Sequence, residues 1–540
     1  MPIIITMREK KTDLIIIVCV LEIVAIGVLF VPKAFPFLIL PDEFGYWYNA
    51  AKILELPWRS VASLGSYYSY GYSAALLPLL ALPVSGLFAY RIALMINLAF
   101  MIIAAFILRH DIGKESVLIL LFPPLVIYSL STMCEAFVFL LLVLTLHGLK
   151  KFLDDMSFFT GAVFLLPAFL LYITHNRCLP VFILAILFAA EKLSDKKRLA
   201  TGIFLALLFS ILFVCSFFAK NYFTSDITMT EIYSSTGFMA MIPRIGNLFS
   251  LEGAVRFIVS FAGNVFYIVV STLGIGILGV KRLIRLNREK DDLSYFFLLS
   301  ISLEMLISSL FLFSADSFTS VLYGRYIDPF CGLLLVLGAK ELTEEAGNLK
   351  WSLYGLLAAL IGLVLVILRG QGYLDHDGIL SIGAEYLSFA LKNVSVLLAA
   401  ELVLSLAVVI LLLWIQKRSG MEKSFWALAV ILLLFTFTTL GTTWSGAISF
   451  VRSESDAAGI IANNKDAEVY YINEDGSEVV QILQFYLKNR EVFVIDKEEI
   501  SLLPKDSIVV TMISSNLAET LSDEYEPVCT TNCFKVWVPK

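Results

Sequence analysis

The chain has 540 residues, of which 59% are hydrophobic and only 16% charged, with a mean hydropathy of +0.85 and a formal net charge of −6. That is too apolar for a soluble protein and leaves room for a dozen membrane crossings of about 20 residues each, so the composition points to an all-α polytopic membrane protein and gives no case for nucleic-acid binding. The acidity belongs to the tail: residues 452–540 hold 16 acids against 8 bases, and the rest of the chain holds 30 against 32.

Taken in order, apolar runs predict helices near 14–31, 91–108, 116–131, 134–149, 157–174, 178–190, 199–219, 256–279, 293–314, 326–340, 351–368, 394–415 and 425–446. The first lacks a small-residue cleavage site and reads as a retained anchor. The run at 73–88 contains Pro78 and Pro83 and is ambiguous, and charge decides it. If it does not cross, Arg8, Lys10, Lys11, Arg109, Lys150, Lys151, the 192–198 and 281–290 bases, and Lys417, Arg418 and Lys423 all face the cytoplasm, as the positive-inside rule asks. This predicts about thirteen spans, with the N-terminus inside and the C-terminus outside.

Residues 32–90 then form one external loop with two interfacial helices, 44–55 and 73–88. The first follows an adjacent acid pair, Asp42-Glu43, and carries Phe44, Trp47, Ala51 and Leu54 on one face, which suits a helix lying flat on the membrane surface. Asp42 has two readings, a helix N-cap and a catalytic acid. Between the helices lies a tyrosine-dense turn with Tyr67, Tyr68, Tyr70 and Tyr72, which reads either as an interface belt or as a wall for a sugar. Further external loops hold His175 and Arg177, then Asp226, Glu231 and Arg244, then Asp316 and the Tyr323-Gly324-Arg325-Tyr326 run. Outward arginines are not needed for topology, and a guanidinium offers a bidentate fork to a phosphate. Glu22, Glu304 and Glu401 lie inside spans, where a carboxylate is either paired or functional.

After Trp444 the pattern changes. Strand-like runs at 468–473, 491–496 and 507–513 alternate with helical stretches near 453–463, 478–488 and 515–521, and a hairpin follows over 527–538. The chain thus divides into 1–450, a membrane domain, and 451–540, a small extracytoplasmic α/β domain with no phosphate loop and no expected catalysis. Five of the seven cysteines are scattered singly, whereas Cys529 and Cys533 are a close pair and a disulfide candidate.

These residues resemble the GT-C fold glycosyltransferases that use polyprenyl-phosphate sugars, in particular the bacterial protein O-mannosyltransferases and aminoarabinose transferases. The likeness covers roughly residues 10–345. It rests on Asp42-Glu43 with its aromatic helix (Tyr46 included), Tyr70-Gly71-Tyr72 leading into the second interfacial helix, Arg91 opening a span, Glu135 after Ser131-Thr132-Met133-Cys134, the Thr174-His175-Asn176-Arg177 turn, and Tyr323-Gly324-Arg325-Tyr326 before Pro329. Two motifs depart: the basic-Pro-Pro start of the second surface helix is missing, and His175-Asn176-Arg177 is not the usual turn. The resemblance implies inverting transfer of a sugar from a polyprenyl-phosphate donor to an acceptor glycan, lipid or protein on the outer face. It implies Asp42 as base and Glu43 as its helper, or the two as holders of a divalent cation (Mg or Mn). Arg325, Arg177 and Arg91 would bind the donor phosphate, with Tyr46, Tyr67, Tyr68, Tyr70, Tyr72, Glu135, His175, Tyr323 and Tyr326 around the substrates. The rival reading is a transporter or flippase of a lipid-linked glycan with the intramembrane acids as a relay, but the internal repeats common in transporters are missing.

Overall fold

The computed structural model of the chain describes residues 2–37, 42–65, 68–195, 198–225, 238–315, 317–345, 349–370, 381–464, 467–474 and 479–540. Tyr67, Asp226, Glu231 and Asp316 lie outside the described residues. Within these residues nine helices are long and apolar enough to cross a membrane: Leu14–Lys33, Gly86–Asp111, Glu135–Asp155, Leu199–Thr224, Leu251–Ser271, Asp292–Leu312, Lys350–Gly370, Val394–Ser419 and Met421–Thr439. Three shorter helices of 17 residues stand among them, Phe158–Thr174, Leu179–Asp195 and Asp328–Glu344. Several starts are set by side-chain caps. Ser85 accepts from the Phe88 amide, Ser157 forms a capping box with Thr160, and Ser250, Asp291 and Asn393 accept from amides three residues on.

Three expected elements differ. The run at 116–131 is not one span but a 3-10 helix, Lys114–Leu121, and a short α-helix, Pro123–Tyr128, because Pro123 and Pro124 supply no amide to continue the ladder. The run at 256–279 ends at Ser271. Leu273 (φ 51°) and Gly274 (φ 78°) turn the chain into Ile275–Arg288, whose Lys281 and Arg285 pair with buried Glu341 at 2.7 and 3.0 Å. The run at 73–88 yields a helix only over Ser73–Ala81; Gly86 onward belongs to the following span.

The C-terminal sheet is as the sequence pattern predicts, partly parallel with a closing hairpin. Its strands are β1 Val469–Asn473, β2 Val492–Asp496, β3 Ile508–Met512, β4 Tyr525–Thr530 and β5 Phe534–Pro539, in the order β2-β1-β3-β5-β4. β1 runs parallel to β2 and β3, and β5 runs antiparallel to β3 and β4. The helix Ser445–Asn463 leads into this sheet directly from Met421–Thr439 through a π-helical turn at Leu440–Trp444. Cys529 and Cys533 are free thiols, which corrects the disulfide expectation. The β4–β5 register sets Cys529 opposite Val536, while Cys533 is drawn to buried Glu454, whose Oε1 accepts from its amide at 3.1 Å.

One continuous apolar core runs from Ile15 in the first helix to Val536 in β5, so the sheet unit is seated on the helical body. The contact is made by the helix Val480–Leu487. Its Phe485 is fully buried against Phe37 (ring centroids 4.8 Å), Trp47 (5.1 Å), Trp58 (5.9 Å) and Tyr90 (6.3 Å). Trp58 Nε1 donates to the Lys488 carbonyl at 2.7 Å, and the Val494 amide donates to Ser60 Oγ at 2.8 Å. This overturns the surface-lying reading of the aromatic helix. It spans Asp42–Ile53, and residues 43–51 are all buried beneath Ser73–Ala81 and the Phe485 helix. Its apolar stripe has found protein instead of lipid.

Candidate active site around Asp42 and Arg325

The two acids that open the Asp42–Ile53 helix look in different directions. Glu43 is fully buried, and its Oε2 accepts from the Thr132 amide at 2.6 Å, Thr132 Oγ1 at 2.7 Å and Tyr90 Oη at 2.8 Å. Trp47 Nε1 donates to the same Thr132 hydroxyl at 3.0 Å. Buried charges need this degree of satisfaction, and the result is a polar tie between the helix, the Ser131–Cys134 turn and the Gly86–Asp111 span. Thr132 and Tyr90 were not singled out from sequence, although Thr132 sits inside the motif that precedes Glu135.

Asp42 is only partly buried and faces away from that tie. Its Oδ1 accepts from Tyr68 Oη at 2.5 Å and its Oδ2 from Arg325 Nη1, so its carboxylate serves other side chains instead of acting as an N-cap. Arg325 Nε donates to Glu135 Oε1, which places one guanidinium between carboxylates from the first loop and from the start of the Glu135–Asp155 helix. Tyr323 Oη lies 3.4 Å from Nη1. Burial alone would lower the proton affinity of this guanidinium, but Glu135 and Asp42 outweigh it and hold Arg325 charged well above its usual range.

The glycine next to the acids makes this geometry possible. A Cβ on Gly45 would stand 2.0 Å from the Tyr68 ring, so only glycine lets Tyr68 cross the helix closely enough to reach Asp42. Asn49 Nδ2 holds the Tyr68 carbonyl at 2.9 Å. Gly71 makes a similar approach: its amide donates to the Ile173 carbonyl at 2.8 Å, and a Cβ would meet Thr174 Oγ1 at 2.4 Å. The tyrosine turn is thereby pinned to the turn that carries His175 and Arg177.

Arg177 is the second arginine of the site. Its guanidinium lies over Tyr326 (3.2 Å to the centroid) and Phe311 (4.3 Å), and its Nη1 is buried with no hydrogen-bond partner among the described residues. Burial pushes it down to about 9, although Tyr323, Glu304 and Asp42 are near enough to favour its charge. A cation with an open donor has the chemistry to accept an anion. His175 packs edge-on to Tyr326 at 5.5 Å, and burial, with Arg177 and Arg325 adding to it, holds its imidazole neutral.

Not every nominated residue joins this group. Tyr46 lies inside it as packing, its hydroxyl 3.0 Å from Cys134 Sγ and its ring against Tyr68 and Tyr72. Tyr72 donates to Asn97 at 2.9 Å deep in the core, and Tyr70 turns away to Phe223 and the Ser216 carbonyl. Arg91 is spent on the Ala34 carbonyl and the Phe35 ring, away from Arg177 and Arg325. Of the intramembrane acids, Glu401 accepts from the Leu387 amide at 2.7 Å through Oε1, while its Oε2, both oxygens of Glu22 and Oε2 of Glu304 are buried without a partner among the described residues.

Asp42 and Glu43 do not converge on one point, because their partners sit on different elements, and no metal-holding group of three includes them among the described residues. The group that could hold an ion there is His110, Asp111 and His147. It lies about 30 Å along the Gly86–Asp111 helix from Tyr90, and Lys150 already occupies Asp111 Oδ1 at 3.1 Å beside His147 on Oδ2 at 2.6 Å. It reads as a tie between two helix ends.

No protein-family model matches the chain, and no curated protein matches its sequence. Solved structures do match in shape. The crystal structure of ArnT from Cupriavidus metallidurans in the apo state superposes with a TM-score of 0.54 at 15% identity, over 96% of this chain and 97% of that one. The same protein bound to undecaprenyl phosphate gives 0.55 at 13% identity, with the same coverage. The chain has the ArnT fold. The GT-C architecture expected from the acid pair and the late Arg-Tyr motif is therefore the architecture found, with its small C-terminal sheet. At this identity the likeness is one of fold, and roles must come from the residues themselves.

Proposed function

We propose that the chain is an integral membrane glycosyltransferase that moves a sugar from a polyprenyl-phosphate donor to an acceptor hydroxyl at the outer face of the membrane. The observation that supports this most is the meeting of Asp42, Arg325 and Arg177, from three separated loops, beside apolar spans. The fold neighbour bound to undecaprenyl phosphate points the same way. An acceptor hydroxyl is a poor nucleophile, and a positioned carboxylate that takes its proton contributes about 10²–10⁴-fold. Asp42 is that base. The leaving group is a lipid phosphate whose charge grows as the sugar bond breaks, and Arg177 and Arg325 stabilise it. Attack from the side opposite the phosphate inverts the anomeric carbon. Glu43 is not a second catalyst in this reading; it anchors the helix that presents Asp42. Residues 451–540 form an outer cover over the first loop, and the positive-inside bias puts this face outside.

The test is transfer by the purified full-length protein in proteoliposomes, with radiolabelled sugars on undecaprenyl phosphate and a membrane glycolipid extract as acceptor. Asp42→Asn should fold normally and lose transfer. Near-normal turnover in that variant would remove Asp42 as base, and movement of intact lipid across the bilayer without transfer would favour a flippase.

A further inference from the structure

Arg325 has more to do than one guanidinium can do at once. Its Nε is committed to Glu135 Oε1 and its Nη1 to Asp42 Oδ2, while among the described residues Nη2 meets the Met133 sulfur at 4.0 Å and no oxygen. A phosphate recognised by a bidentate fork needs a pair of N–H groups on one edge. With Nε held by Glu135, the edge that remains is Nη1/Nη2, and Asp42 occupies half of it.

We propose that Arg325 is an exchange switch: the donor phosphate competes with Asp42 for Nη1, and the carboxylate becomes a free base only when the donor is bound. This rests on the polyprenyl-phosphate reading above. Three features make the exchange workable. Glu135 keeps Nε, so the guanidinium is not lost from the site while its other edge changes partner. Arg177, with its buried, unpaired Nη1, supplies a second cation, so the arriving phosphate is not met by Arg325 alone. Tyr68 keeps hold of Asp42 Oδ1, so the carboxylate stays aimed when Oδ2 is released.

The reaction then closes on named atoms. The acceptor hydroxyl gives its proton to Asp42 Oδ2 as its oxygen bonds to the anomeric carbon. The bond from that carbon to the phosphate oxygen breaks with its electron pair, and the lipid phosphate leaves on Arg325 and Arg177. In the empty site Asp42 is tied up, so an acceptor arriving first finds no base. Donor before acceptor is the order the geometry imposes.

The switch makes a prediction that a simple binding residue does not. If Asp42 competes with the phosphate, removing its charge strengthens phosphate binding. Equilibrium binding of radiolabelled undecaprenyl phosphate to the full-length protein in nanodiscs should show Asp42→Asn binding about tenfold more tightly than wild type, the scale of one charge-assisted hydrogen bond. Asp42→Ser, which loses the charge with a different shape, should do the same. Glu43→Gln removes an equal charge one residue away and keeps an acceptor for the Thr132 and Tyr90 donors, so it should change affinity much less than either Asp42 variant. Unchanged or weaker binding in both Asp42 variants overturns the switch, as does equal tightening by Glu43→Gln, which would mean bulk repulsion. A wild type that does not bind undecaprenyl phosphate removes the donor reading itself, and the switch with it.

Discussion

Truncating Phe485 should release the C-terminal sheet from the helical body without unfolding either. The ring is fully buried and touches four aromatic side chains, from residues 37, 47, 58 and 90, all in or beside the first loop. Removing such a ring costs about 3–5 kcal/mol, transfer and cavity terms together. Among the described residues, hydrogen bonds across this contact run from Trp58 to Lys488, from Val494 to Ser60, and from Lys488 Nζ to the Leu82 carbonyl. At about 1.4 kcal/mol per decade, the undocked population in Phe485→Ala should rise by roughly 10²- to 10⁴-fold. Hydrogen exchange followed by mass spectrometry reads this directly. The Val494 amide and the Arg59–Ala62 turn should lose protection, while β3 and β5 keep theirs because the sheet stays intact. Since Trp47 links Phe485 to the Thr132–Glu43 tie, transfer should fall as well. Exchange within about threefold of wild type at residues 58–64 and 492–496 would show that the contact is not what holds the sheet down.

Further perturbations address the site and the membrane body. Gly45→Ala places a Cβ 2.0 Å from the Tyr68 ring, so Tyr68 must leave Asp42; transfer should drop at least tenfold with little change in undecaprenyl phosphate affinity, and Tyr68→Phe, which removes the same hydroxyl without the clash, should lose transfer to a similar extent. Arg325→Leu strands Asp42 and Glu135 without their shared cation, a buried-pair break of about 3–5 kcal/mol; thermal unfolding should register a large loss that Glu135→Gln in the same chain partly restores. Glu385 carries a pH signature. Burial raises its carboxyl from 4.5 to about 7, so the folded state holds its proton longer than the unfolded chain. Stability from this group is full below about pH 4.5 and fades as pH rises through 7, and Glu385→Gln should flatten that part of the stability profile. A profile unchanged by the substitution would contradict the burial.

What the sequence determined by itself is whatever depends on local pattern. The membrane class follows from composition, most spans from length and hydropathy, the sheet from its β-branched runs, and the acid pair and late arginine from motifs that survive as short words. The failures share one cause. Residues 44–55 carry an apolar stripe that would suit lipid or protein equally, and only the arrival of Phe485, more than 400 residues later, decides for protein. Likewise, nothing local separates Asp42 from Glu43 or Arg91 from Arg177. Each pair has the same chemistry, and long-range contacts alone bury Glu43 under Thr132, spend Arg91 on a backbone carbonyl and leave Arg177 with an open donor among the described residues. Charge and hydropathy are properties of a residue and its neighbours in sequence; which charge is satisfied, and by what, is decided only when the folded chain brings distant loops together.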